Sequence, residues 1–213
     1  GSADPYGMRR DALGIVQTLA HKEIPLALRP LLVEAAALMP VPVSDEVLAE
    51  TSTFITGRLR SWLRDQGFRH DVVDAVLTER GANPFGAYRT VVQLAAWVER
   101  DDWPDLLNAY GRCIRIVRDQ TENFQFKPDL DPEPATAALW KAYQAARAQV
   151  TPESDVDHLL TVLRPMIPAI NGFFDDVLVM HEDQTLRESR LSLLQDIWGL
   201  SAGIVDVTRL EGF

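Results

Sequence analysis

Apolar residues recur along most of this chain at intervals of three and four, the spacing of one face of an α-helix. Met8, Ala12, Ile15, Val16 and Leu19 form the first stripe, behind an Asp4-Pro5 pair suited to an N-cap and first turn. Pro25 interrupts. A second apolar helix is expected from about Leu26 to Met39, stopped by Pro40-Val41-Pro42. Ser44 before Asp45 and Glu46 starts a third helix, with acids at the positive end of its dipole and Gly67 as its stop. A short helix is expected from Asp71 to Arg80, closed by Gly81. Pro84 opens another that runs to about Arg100.

A long helix is expected from about Trp103 to Asn123, with Leu106, Leu107, Tyr110, Ile114 and Val117 as its stripe. Gln125 to Pro134 reads as a loop, and a helix follows from about Ala135 to Gln149. Thr151-Pro152-Glu153 reads as a further N-cap with proline in the first turn. Helices from about Val156 to Leu163, Pro168 to Met180 and Gln184 to Leu200 complete the chain. Neither strand alternation nor a repeat stands out, so the fold class is all-α, a helical bundle with short connections. The proline stop at 40–42 marks the expected boundary between two segments, 1–42 and 43–213.

Composition narrows the possibilities. Hydrophobic residues make up 46% of the 213 and charged residues 24%, enough to build a core. No apolar run reaches the roughly 18 residues of a membrane span, and the N-terminus carries no signal-peptide pattern. Cys113 is the single cysteine, which excludes an internal disulfide and a thiolate metal cluster and suits a reducing cytoplasm. The net charge of -10 argues against a general nucleic-acid binder and leaves room for a local basic patch. The first residue is Gly1 rather than Met, as in a fragment of a longer protein.

Enzyme signatures are lacking: there is no phosphate-binding loop, no GxSxG and no HExxH. His70-Asp71 is a His-Asp dipeptide at an expected helix start, short of the three converging ligands a metal needs. Asp175-Asp176 and His181-Glu182-Asp183 read as a solvated acidic rim, and the preceding Phe173 and Phe174 as core anchors. Two basic stretches stand against the acidic background. Arg112, Arg115 and Arg118 recur at i, i+3 and i+6 and share one broad helix face. Arg58, Arg60, Arg64 and Arg69 have only Asp65 among them. The planar guanidinium donates bidentately to phosphate and stacks on unpaired bases. Pairing with the chain's surplus of acids is the competing role for the same side chains.

Gly1-Ser2-Ala3-Asp4-Pro5-Tyr6-Gly7-Met8-Arg9-Arg10-Asp11-Ala12-Leu13-Gly14 resembles the stretch that closes the HD-like domain of the glycyl-tRNA synthetase β-subunit family, which marks Gly1 and Ser2 as native. Leu63 to Leu77 resembles the start of its anticodon-binding-like domain. Phe173-Phe174-Asp175-Asp176-Val177-Leu178-Val179-Met180, continued by Leu186 to Leu194, is similar to its phenylalanine-rich signature. The segments occur in the family's order.

The resemblance implies a helical domain like the anticodon-binding domain of arginyl-tRNA synthetase. It also implies tRNA(Gly) as a partner, and an α subunit, separate or fused, that performs glycylation with ATP and Mg. This piece would then have no catalytic residue and no cofactor, metal, membrane or DNA partner of its own. Where the family commonly shows Lys-Arg-Val-x-Asn-Ile, this chain reads Gly111-Arg112-Cys113-Ile114-Arg115-Ile116. Arg115 thus stands in place of an amide, and Gly111 in mid-helix costs about 1 kcal/mol relative to alanine unless it admits a close neighbour. The expected RNA-contacting residues are Arg112, Arg115 and Arg118, with Arg58, Arg64 and Arg69 as a second group. The rival expectation is a helical domain that docks other synthetase parts without touching RNA.

Overall fold

The computed structural model describes residue 4 and residues 6–151 and 153–213. Gly1, Ser2, Ala3, Pro5 and Pro152 lie outside the described residues, and with them part of the expected Asp4-Pro5 and Thr151-Pro152 caps. The described residues are helical and connecting segments, with no strand among them. The chain is all-α. By contact it falls into two compact units, Gly1–Ala96 and Trp97–Phe213. This partition differs from the sequence boundary at Pro42, because the first two helices pack on the third.

The first unit holds α1 (Met8–His21), α2 (Leu28–Ala37), α3 (Asp45–Asp65), α4 (His70–Arg80) and most of α5 (Pro84–Val98). α1 begins beyond a Gly7 in the left-handed region, φ 69°, and the Asp4 carboxylate accepts from Arg9 N at 3.0 Å. The N-cap is thus Gly7 rather than the expected Asp4, whose carboxylate reaches a first-turn N–H from further upstream. α1 buries Ala12, Val16, Leu19 and Ala20. Met8 and Ile15, expected on the apolar stripe, are exposed. Ser44 caps α3 by accepting from Val47 N at 3.3 Å. Gly67, at φ 91°, ends α3, where its own N–H and that of Phe68 meet the last carbonyls.

Gly81 is glycine for a different reason. Its φ is an ordinary -58°, but an added Cβ would lie 2.6 Å from Leu77 O and 2.8 Å from Thr56 Cγ2. The residue lets α4 end directly against α3. Trp62 of α3 places its ring 5.4 Å from both His21 and Tyr88, tying α3 to α1 and α5.

The second unit holds α6 (Trp103–Val117), α7 (Pro134–Arg147), α8 (Val156–Leu163), a 3-10 turn at Arg164–Met166, α9 (Ile167–Asp176) and α10 (Gln184–Gly199). α6 packs on α9 and α10, and α7 on α9. α6 ends six residues before the expected Asn123, because side chains of α10 hold the following backbone in another path. Gln195 accepts from Phe124 N at 3.2 Å and donates to Glu122 O at 2.8 Å. Ser192 donates to Phe124 O at 2.9 Å. α8 is capped by Asp155, which accepts from His158 N at 2.9 Å, rather than by Thr151. α9 stops at Asp176, short of the expected Met180; Val177 turns to an extended conformation.

A buried ion pair locks this unit. Arg190 donates to both oxygens of Asp131, at 2.7 and 2.9 Å, and to Leu178 O at 2.8 Å. Thr136 Oγ1 and Glu133 N complete the carboxylate's partners at 2.7 and 3.1 Å. The side chains are 4% and 0% exposed. Burial raises the Asp131 pKa, but the bonds from Arg190 and Thr136 outweigh it and hold the carboxyl below its ordinary value. Tyr110 adds a second tie, donating from its buried hydroxyl to the carbonyls of Ile197 and Trp198 at 3.2 and 3.0 Å.

Candidate nucleic-acid interface

α6 has a strongly amphipathic pattern. Leu106, Leu107, Tyr110, Cys113, Ile114 and Val117 face the core, which turns Arg112, Arg115 and Arg118 toward the outside. Arg112 lies over the ring of Phe174, its Cζ 4.5 Å from the centroid. It has no carboxylate partner among the described residues. Arg115 lies 5.4 Å over the ring of Phe213 and donates to Asn108, at 3.2 Å to the side-chain oxygen. It too has no carboxylate partner among the described residues. Arg118 is exposed and, among the described residues, pairs only with the adjacent Asp119, at 3.8 Å. An exposed pair of this length contributes about 0–1 kcal/mol and yields readily to a phosphate.

Gly111 explains how the second ring is seated. An added Cβ there would lie 3.4 Å from Phe213 and 3.1 Å from Arg115 Nη1. The glycine therefore opens α6 to the last residue of the chain and to the arginine that covers it. Phe174 departs from its expected role: Phe173 is a core anchor with no exposure, whereas Phe174 is half-buried and supports Arg112. Between them the two rings fix two cations without neutralising them.

The second basic stretch divides. Arg60 and Arg64 both reach Asp74, at 2.8 and 3.4 Å. Arg69 forms a two-pronged pair with Asp71, at 3.1 and 2.7 Å, and Asp71 is 4% exposed. These three are turned toward acids of α4. Arg58 is different: its Cζ lies 5.7 Å over Phe54 and no carboxylate pairs with it among the described residues. Arg89, absent from the sequence expectation, repeats the arrangement 5.8 Å over Phe85. Both follow a Phe-x-x-x-Arg spacing on a helix, a signal present in the sequence.

Among the described residues no group of three or more His, Cys, Asp or Glu side chains could hold a metal ion. His70 starts α4 and Asp71 is engaged by Arg69. Asp175 and Asp176 are exposed. Asp183 caps α10 by accepting from Leu186 N at 3.0 Å. Cys113 is buried, which pushes its thiol up to about 12 and makes it a poor nucleophile. Among the described residues no helix is long and apolar enough to cross a membrane.

Residues 1–78 match the family model described as glycyl-tRNA synthetase beta subunit. Over 99% of its length the chain is 32% identical to the glycine--tRNA ligase beta subunit of Haemophilus influenzae and 34% identical to that of Geotalea daltonii, covering 31% of each relative. It is 31% identical to a chloroplastic/mitochondrial glycine--tRNA ligase of Arabidopsis thaliana, covering 20% of that protein. The chain is similar over nearly its whole length to the glycyl-tRNA synthetase β-subunit family, of whose curated members it spans about a third or less.

Proposed function

We propose that this chain is a tRNA-contacting module of a glycyl-tRNA synthetase. It would position tRNA(Gly) while an α subunit, separate or fused, performs ATP- and Mg-dependent glycylation in the cytoplasm. The observation that carries this reading is the pair Arg112 and Arg115, held over Phe174 and Phe213 and left unneutralised in a chain of net charge -10. Acids are plentiful, so cations held by rings rather than carboxylates keep their charge available to an external anion. A guanidinium over a ring can also stack on an unpaired base. Arg118 extends the same face and Arg58 offers a second contact; Arg64 and Arg69 would have to exchange Asp74 and Asp71 for phosphate. Likeness to the anticodon-binding domain of arginyl-tRNA synthetase is part of the proposal.

The test is a gel-shift titration of tRNA(Gly) at low salt. Replacing Arg112, Arg115 and Arg118 together by alanine is expected to lower affinity while the circular dichroism spectrum stays helical. Undiminished affinity would remove the assignment. A second reading, docking of other synthetase parts without RNA contact, is favoured by α2, which buries only Leu28 and exposes Leu31 and Val33, with Leu38, Met39 and Val41 beyond it. A chain that binds an α subunit but not tRNA(Gly) would support that reading instead.

A further inference from the structure

A pocket of about 330 Å³ opens in the second unit between α7 and the end of α10. Its lining includes Tyr143, Arg147, Gln195, Asp196, Leu200 and Ile204. The volume lies at the small end of the range for ligand sites, enough for one flat ring system. Two features make the lining unusual for a mere surface dent. Asp196 is half-buried yet has no hydrogen-bond or ion-pair partner among the described residues, even though Arg147 lines the same pocket. Burial raises its carboxyl pKa with no compensating bond. A partly desolvated acceptor of this kind gains from a donor brought by a ligand.

The second feature is aromatic. Phe126 and Trp140 lie 4.6 Å apart, and Trp140 stacks on Tyr143 at 5.4 Å with an interplanar angle of 28°. All three rings are half-buried, so the row ends at the pocket with part of each ring open. Rows of partly exposed rings are what unpaired bases stack on.

We propose that this pocket receives one unpaired nucleobase, whose exocyclic amino group donates to the Asp196 carboxylate while its ring lies against Tyr143. The inference rests on the RNA-contact reading and adds a base-selective site to it. An ionised carboxylate only accepts hydrogen bonds. Cytosine and adenine present an exocyclic amino donor and guanine an amino group beside a ring N–H, whereas uracil has no amino group and its one ring N–H lies between two carbonyls that the carboxylate repels. The negative charge also disfavours a phosphate, which makes this a site for a base rather than for the backbone. Arg147, exposed at the rim, donates to Val150 O at 3.3 Å and is placed beside the entering nucleotide.

Fluorescence-anisotropy titrations with short labelled oligo(C), oligo(A) and oligo(U) ribonucleotides test this on the 213-residue chain. Oligo(C) and oligo(A) are expected to bind roughly tenfold or more tighter than oligo(U). Asp196→Asn is expected to bring the three close together, since an amide can turn a donor toward the uracil carbonyl, with no change in salt dependence. Binding without base preference, or a preference that survives Asp196→Asn, overturns the pocket and leaves the arginine face standing. Absence of binding to every probe at low salt overturns both.

Discussion

Replacing Arg190 with methionine keeps most of the apolar stem but strips Asp131 of its counter-charge. The carboxylate would remain in a site where its side chain has no solvent exposure, with only Thr136 and Glu133 N as partners. Two charge-assisted bonds, at 2.7 and 2.9 Å, and the bond to Leu178 O at 2.8 Å are lost together. Breaking one side of a buried pair costs about 3–5 kcal/mol, a large share of the roughly 5–15 kcal/mol that stabilises a domain. Urea unfolding followed by tryptophan emission reports the loss, since Trp97, Trp103, Trp140 and Trp198 all fall in the second unit. The companion Arg190→Met, Asp131→Leu double variant removes the stranded charge and is expected to recover most of the stability. A single variant within about 1 kcal/mol of the parent would refute the reasoning, because the pair would then contribute no more than a surface one. The same geometry sets a pH dependence. Asp131 is depressed in the folded state, so its contribution is present above the unfolded carboxylate pKa of about 3.9 and is lost as pH falls through the lower folded value.

Three further outcomes follow from packing. Gly81→Ala is expected to cost about 1–3 kcal/mol in denaturant melts, because the new methyl meets the backbone oxygen of Leu77 as well as Thr56. Tyr110→Phe, which leaves the carbonyls of Ile197 and Trp198 without their hydroxyl donor, is expected to cost about 1–3 kcal/mol by the same measurement. Cys113, buried and pushed up to about 12, is expected to resist alkylation at pH 8 and to react once urea unfolds the chain. Rapid labelling in native buffer would contradict the burial of α6.

The helical class was legible because apolar periodicity is dense and caps such as Ser44 use local chemistry. The ends of α6 and α9 were not. α6 has no stop residue of its own, and its exit path is set by Ser192 and Gln195 from a distant helix. Gly81 and Gly67 look alike in sequence, yet one supplies a left-handed turn and the other a close approach between helices. The basic stretches could be read only as clusters. Which arginines would meet acids depends on α4, whose Asp71 and Asp74 take Arg69, Arg60 and Arg64. Phe174 and Phe213, which hold Arg112 and Arg115, lie too far along the chain for local spacing to reveal them. Arg58 and Arg89, by contrast, sit one helical turn from their rings.

The salt dependence of tRNA(Gly) binding addresses the central claim most directly. Each phosphate contact contributes roughly 0.7–0.9 to the slope of log affinity against log salt. Arg112→Met with Arg115→Met keeps apolar cover over both rings while removing two cations. The variant is expected to bind more weakly at low salt and with a slope shallower by about 1.4–1.8. An unchanged affinity and an unchanged slope would show that these guanidiniums meet no RNA.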